Sequence, residues 1–129
     1  MTEDDRSGFL KEVARGGKVF LAVMGGIFAE GVDYPGQLNG VIVVGPGLPM
    51  YCAETEMIRA YFDETYQRGF EYAYVFPGMN RVIQAAGRLI RSETDTGTIT
   101  LIGKRFLQEP YRDLIPRDWY VEGVEELVF

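Results

Sequence analysis

Val19-Phe20-Leu21-Ala22-Val23-Met24 is an unbroken apolar run. A strand covered on one face alternates apolar and polar side chains. This run does not alternate, so it is read as a strand buried on both faces, the habit of parallel sheets. Val41-Ile42-Val43-Val44 repeats the pattern, Thr98-Ile99-Thr100-Leu101-Ile102 is a third candidate, and Tyr74-Val75-Phe76 a shorter fourth. Helical spacing fills the intervals. Residues 5–15 put Phe9, Leu10, Val13 and Ala14 on one side, with Asp4 or Asp5 to cap the start and Gly16-Gly17 to stop it. Residues 53–68 space Met57, Ile58, Tyr61, Phe62 and Tyr66 as a helix does, with Gly69 as the stop. Residues 79–91 form another helical pattern, and the tail from residue 110 onward is mixed. Strands alternating with helices imply an α/β layer fold, in which ligands sit beyond the carboxyl ends of the strands.

Composition narrows the function. The chain has 129 residues, which suits a single domain, and 47% apolar with 25% charged residues suits a globular one. Thirteen basic against 19 acidic residues give a net charge of −6, which argues against a general DNA-coating protein but not against a local basic patch. There is no histidine, so imidazole catalysis and His-ligated metals are excluded. The single cysteine, Cys52, excludes an internal disulfide and a cysteine-held iron–sulfur cluster within this chain. No apolar run is long enough to span a membrane, and the acidic start Met1-Thr2-Glu3-Asp4-Asp5 has the wrong sign for a signal peptide. A reducing, cytoplasmic compartment is expected, nuclear if the source is eukaryotic.

Two segments could carry chemistry. On a helix over 81–91, Val82, Ile83, Ala86, Leu89 and Ile90 share one side, while Arg81, Gln84, Arg88 and Arg91 share the other. The polar stripe thus holds three guanidiniums and no carboxylate, and Arg's donor fork suits phosphate oxygens. The same stripe could be an ordinary solvated basic face. Residues 79–112 nevertheless hold six basic and three acidic residues, a local +3 that favours an anionic partner. The second segment is Met24-Gly25-Gly26-Ile27-Phe28-Ala29-Glu30-Gly31-Val32-Asp33-Tyr34-Pro35-Gly36. Its glycines let backbone amides approach a phosphate or sugar, and Glu30 and Asp33 could accept from ribose hydroxyls. Equally, it could be a tight turn with both carboxylates solvated.

A P-loop is absent. Gly103-Lys104-Arg105 ends in the wrong residue and lacks the earlier glycine, and Gly16-Gly17-Lys18-Val19 fails likewise. Asp63-Glu64 sits inside a helical pattern rather than at a strand end. By itself, this chain is not expected to bind and split a nucleotide.

In this order and spacing, the two segments resemble the second motor domain of the XPD/DinG family of superfamily 2 DNA helicases. Gly26 to Asp33, ending Glu30-Gly31-Val32-Asp33, resembles motif V. Gln84-x-x-Gly87-Arg88-x-x-Arg91 resembles motif VI. The likeness continues through Thr94-Asp95-x-Gly97 and Lys104-Arg105-Phe106, with Gly103 where the family usually reads Asp, and it covers about residues 8 to 118.

The resemblance implies a RecA-like three-layer sandwich with a mainly parallel sheet, present here as a partial domain. Residues 1–129 would be one C-terminal helicase domain, with motif V near 25–36 and motif VI near 84–91. It would belong to an ATP-dependent 5′-to-3′ DNA helicase, and the chain alone would be inactive. ATP and Mg2+ would be held mainly by a first RecA-like motor domain, in the same polypeptide or a separate chain. Any iron–sulfur cluster would lie outside this chain. Arg88 and Arg91 would be arginine fingers, and Gln84 would position the phosphate or its attacking water. Glu30, Gly31, Asp33 and Gly87 would contact nucleotide, or motif V would couple the cleft to DNA. Gly25 and Gly26 would offer amides to single-stranded DNA. No metal ligand is assigned. Tyr34, Tyr51 and Tyr74 could stack bases but are read as packing. A missing edge strand would leave the sheet open to self-association. Two other readings stand: a non-catalytic interaction or regulatory module derived from a helicase domain, and an independent phosphate- or nucleotide-binding domain.

Overall fold

The computed structural model describes residues 3–26, 38–89 and 95–119. Its elements are α1 (Glu3–Ala14), β1 (Gly40–Val44), α2 (Ala53–Tyr66), α3 (Phe76–Ala86) and β2 (Thr98–Ile102). Short 3-10 turns follow at Lys104–Leu107, Arg112–Leu114 and Arg117–Trp119. β1 and β2 pair in parallel, with Gly40 opposite Thr98 and Val44 opposite Ile102. Helices between parallel strands make this an α/β fold, the class expected for a partial RecA-like domain.

The core lies on one face of the sheet. Val43 points into it, together with Val75, Met79, Val82, Phe106 and Tyr111. Met79, Val82 and Ala86 recur at helical spacing along α3 and are all buried, so the apolar stripe of this helix does what its period implies. On the opposite face of β1, Ile42 and Val44 are exposed, as is Ile102 on β2. The strands therefore show one covered face among the described residues, although β1 has no polar alternation in its sequence.

Two strand expectations are corrected. Residues 19–23 form no strand, and Leu21 is 92% exposed, with Val19 and Val23 close behind. Gly16 and Gly17 both take left-handed φ, at 67° and 70°, and turn the chain after α1. The run then passes beside β1 across an open cleft of about 710 Å³ instead of pairing with it. Phe20 meets the Phe9 ring of α1 edge-on at 5.3 Å.

Tyr74-Val75-Phe76 is helical. Glu71–Val75 is a π turn that runs directly into α3. Pro77 explains the widened turn: it lacks an N–H, and its ring would press on the carbonyl one turn back. Ala73, Tyr74 and Val75 of this turn are all buried, so the apolar signal was burial and not strand.

The helix ends also shift. α1 starts at Glu3, which puts Asp4 and Asp5 in its first turn and not at its cap. Near its end, Glu12 accepts from Lys18 and Arg15, and these contacts hold its carboxyl below the usual range, the Lys18 bond foremost. α2 stops at Gln67, whose φ of 57° is left-handed and whose N–H donates to the Asp63 carbonyl at 3.0 Å. Gly69 is a point of close approach instead. A methyl there would lie 2.1 Å from the Arg59 carbonyl oxygen. Its N–H donates to Asp63 Oδ1 at 2.7 Å. None of the α2 side chains is fully buried.

Candidate functional site

α3 runs from the carboxyl ends of the strands to their amino ends, and it carries the basic stripe with it. At the carboxyl end, Gly45 donates its N–H to the Ile102 carbonyl at 2.8 Å. The loop that follows lies close against α3: a methyl on Gly78 would sit 2.8 Å from Leu48 Cδ2. Arg81 donates from Nη1 to the Gly47 carbonyl at 3.1 Å. The turn Val23–Gly26 closes on the same guanidinium. Gly26 donates to the Val23 carbonyl at 2.9 Å. Gly25 takes φ 82°, and a methyl there would lie 3.5 Å from Arg81 Cζ. Gly25 and Gly26 thus sit where the first glycine-rich segment and α3 meet. Arg81 is the brace between that turn and the loop after β1, a role its place in the polar stripe did not disclose.

The far end of α3 is built differently. Leu89 is buried against Gly97, where a methyl would be 2.6 Å from Leu89 Cδ1. Thr98 donates its N–H to the Asn39 carbonyl at 3.2 Å, so residues 38–40 and 97–98 form one edge at the amino ends of the strands. Arg88, half-buried, lines the open cleft there together with Leu38, Asn39, Gly40 and Ala85. Gln84 and Gly87 are exposed beside it. Gly87 has an ordinary helical φ of −62° and donates its N–H to the Ile83 carbonyl at 2.8 Å. Backbone conformation does not demand glycine at 87, but a methyl there would lie 3.0 Å from the Ile83 carbonyl oxygen, a tight approach within the chain itself.

Gln84, Gly87 and Arg88 are therefore brought together. Gly25 and Gly26 lie beside Arg81 nearer the start of α3, whereas α3 ends at Ala86, short of the helix expected over 79–91, and Arg88 stands in the turn beyond it. Glu30, Gly31, Asp33 and Arg91 lie outside the described residues. The generic expectation of ligands at the carboxyl ends does not fit Arg88, which stands at the amino ends. Arginine at a helix's C-terminal end is favoured by the negative pole of the helix dipole.

Three further residues clarify the site's surroundings. Tyr74 is buried and donates its hydroxyl to Glu56 Oε1 at 2.5 Å. That bond, reinforced by burial, pushes its ionisation up to about 12. It is packing, as expected. Tyr51 is exposed at the surface, and Tyr34 lies outside the described residues. Gly103 adopts φ 145°, a region glycine reaches readily and other residues rarely. That conformation accounts for the glycine preceding Lys104-Arg105-Phe106, whose Phe106 fills the core. Among the described residues, no group of three His, Cys, Asp or Glu is placed to hold a metal ion. No helix among them is long and apolar enough to cross a membrane.

A family model described as the helicase C-terminal domain matches residues 1–122. Over 103 residues the chain is 31% identical to the helicase subunit XPD of general transcription and DNA repair factor IIH from Arabidopsis thaliana, covering 78% of this chain and 14% of that protein. It is 33% identical over 104 residues to the ATP-dependent DNA helicase DinG of Photobacterium profundum, covering 78% of this chain and 15% of that one. A regulator of telomere elongation helicase 1 homolog from Anopheles gambiae is 33% identical over 105 residues, covering 75% of this chain and 10% of that one. The chain thus spans about 14% of the length of the first of these relatives.

Proposed function

We propose a function from one premise: the chain belongs to the helicase C-terminal domain family of the XPD and DinG helicases. In our reading, residues 1–129 are one such motor domain, with motif V near 25–36 and motif VI near 84–91. It is the half of an ATP-dependent 5′-to-3′ DNA helicase that completes, and does not itself form, the ATP site. ATP is the substrate, held on a first motor domain. Mg2+ is assigned to that lobe too.

The observation that carries this reading is the grouping of Gln84, Gly87 and Arg88 at the exit of α3, where Arg88 lines an open cleft. Arg88 and Arg91 act as fingers that stabilise charge developing on the transferred phosphoryl group. Gln84 orients the phosphate or its attacking water. Gly87 admits the phosphate chain without a Cβ in its path. Glu30, Gly31 and Asp33 contact the ribose or couple the cleft to DNA. Gly25 and Gly26, beside Arg81, offer backbone amides to a phosphate of single-stranded DNA, a contact that needs no net positive charge. The compartment is the cytoplasm, or the nucleus in a eukaryote.

Reconstitution tests the assignment. A first motor domain of an XPD or DinG helicase is purified and titrated with this chain in the presence of single-stranded DNA. DNA-stimulated ATP hydrolysis that rises with added chain is the expected result. A mixture as inert as the first domain alone, and equally inert when the two are fused, would refute it.

A further inference from the structure

The outer ridge of α2 is an apolar surface of defined shape and charge. The inner side of this helix is occupied: Phe62 stacks on Tyr72 at 4.3 Å with the rings 9° from parallel, and Glu56 takes the Tyr74 hydroxyl. The outer side carries Glu54, Met57, Ile58 and Tyr61, the i, i+3, i+4, i+7 spacing that lines one face of a helix. Met57 is 72% exposed and Tyr61 62%. The exposed Met50 leads into the same end, tied by its carbonyl to the Thr55 hydroxyl at 3.2 Å. The charged residues bordering this ridge are Glu54 and Glu64, while Glu56, Asp63 and Arg59 lie on the other side of α2, where Glu56 takes the Tyr74 hydroxyl and Asp63 the Gly69 N–H. Arg59 is itself drawn to Glu56 and Asp63, at 3.5 and 3.8 Å.

We propose that this ridge docks a basic amphipathic helix of a partner protein. The apolar face of such a helix would lie along Met57, Ile58 and Tyr61, a ridge into which another helix's side chains fit. Its lysines or arginines would meet Glu54 and Glu64 at the rim. The acidic rim repels nucleic acid and anionic lipid. It also disfavours a second copy of the chain, since α2 against α2 sets carboxylates against carboxylates. Methionine on the ridge lets the surface repack to its occupant. The inference is independent of the ATP site.

The probe is a fluorescent synthetic peptide of roughly 18 residues, five helical turns, with leucine at helical spacing and lysine elsewhere. Two controls accompany it: the same residues in permuted order, and the same pattern with glutamate for lysine. The expected result is that the patterned basic peptide binds at least about tenfold more tightly than either control. Met57→Ser with Tyr61→Ser should weaken it about tenfold while leaving the far-UV spectrum unchanged, because both side chains are exposed. Glu54→Lys with Glu64→Lys should reverse the preference toward the glutamate peptide. Four results would overturn the proposal: equal binding of the permuted peptide, no loss in the Met57→Ser, Tyr61→Ser variant, preferential binding to phosphatidylserine vesicles, or a dimer that this same variant disperses.

Discussion

Tyr74 illustrates how much one side chain can report. Its phenol donates to a carboxylate from a different helix, so ionising it would set two anions face to face. The group titrates near 10 when unfolded and at about 12 when folded. The folded state therefore holds its proton more tightly. The Tyr74 contribution to stability is complete below about pH 10 and declines as pH rises from there toward 12. Urea midpoints measured across that window should fall in the native chain and fall less in Tyr74→Phe. Gly103 gives a second prediction. Its φ of 145° excludes a Cβ without strain, so Gly103→Ala should cost about 1–3 kcal/mol in chemical denaturation. The sequence showed that this position departs from the family's usual Asp but not why. A backbone angle leaves no trace in composition or spacing.

Elements were legible to different depths. The α3 stripe was plain, because an amphipathic period against a single sheet face has one solution: Val82, Ala86 and Leu89 are buried as that period requires, Ile83 is half-buried, and Met79, one turn earlier, joins them. Met79→Ala should cost about 2–5 kcal/mol, read from thermal or urea unfolding. The α2 stripe has the same period, yet Met57, Ile58 and Tyr61 face outward. Periodicity identifies a face and does not say which neighbour covers it. The run Val19 to Met24 failed as a strand for the same reason: hydrophobicity demands a partner but does not name one. Tyr74-Val75-Phe76 was too short to separate strand from buried helix. Gly69 looked like a helix stop because glycine often is one. Its actual cause is contact with the Arg59 carbonyl and Asp63, earlier on α2. Gly69→Ala should therefore cost about 1–3 kcal/mol through overpacking, measured by the shift in urea midpoint at constant slope.

For the whole molecule, the parallel pair β1–β2 and the helix packed on it are what place the candidate residues. α3 delivers Arg81 to the carboxyl ends of the strands and Arg88 to the amino ends. The two arginines therefore have separate tasks despite sharing a ridge: Arg81 braces the Gly25 turn against Gly47, and Arg88 lines the cleft. The sequence made the ridge visible but not its division, because that depends on where each end of the helix meets the sheet. The division is also what a direct measurement can separate. DNA-stimulated ATP turnover of the intact enzyme carrying this domain is compared for the parent, Arg88→Ala, Arg91→Ala and Arg81→Ala. Our account predicts that kcat falls about a hundredfold or more in Arg88→Ala and Arg91→Ala, while Arg81→Ala keeps kcat and loses about 1 kcal/mol of stability. Near-normal kcat in both Arg88→Ala and Arg91→Ala would contradict it.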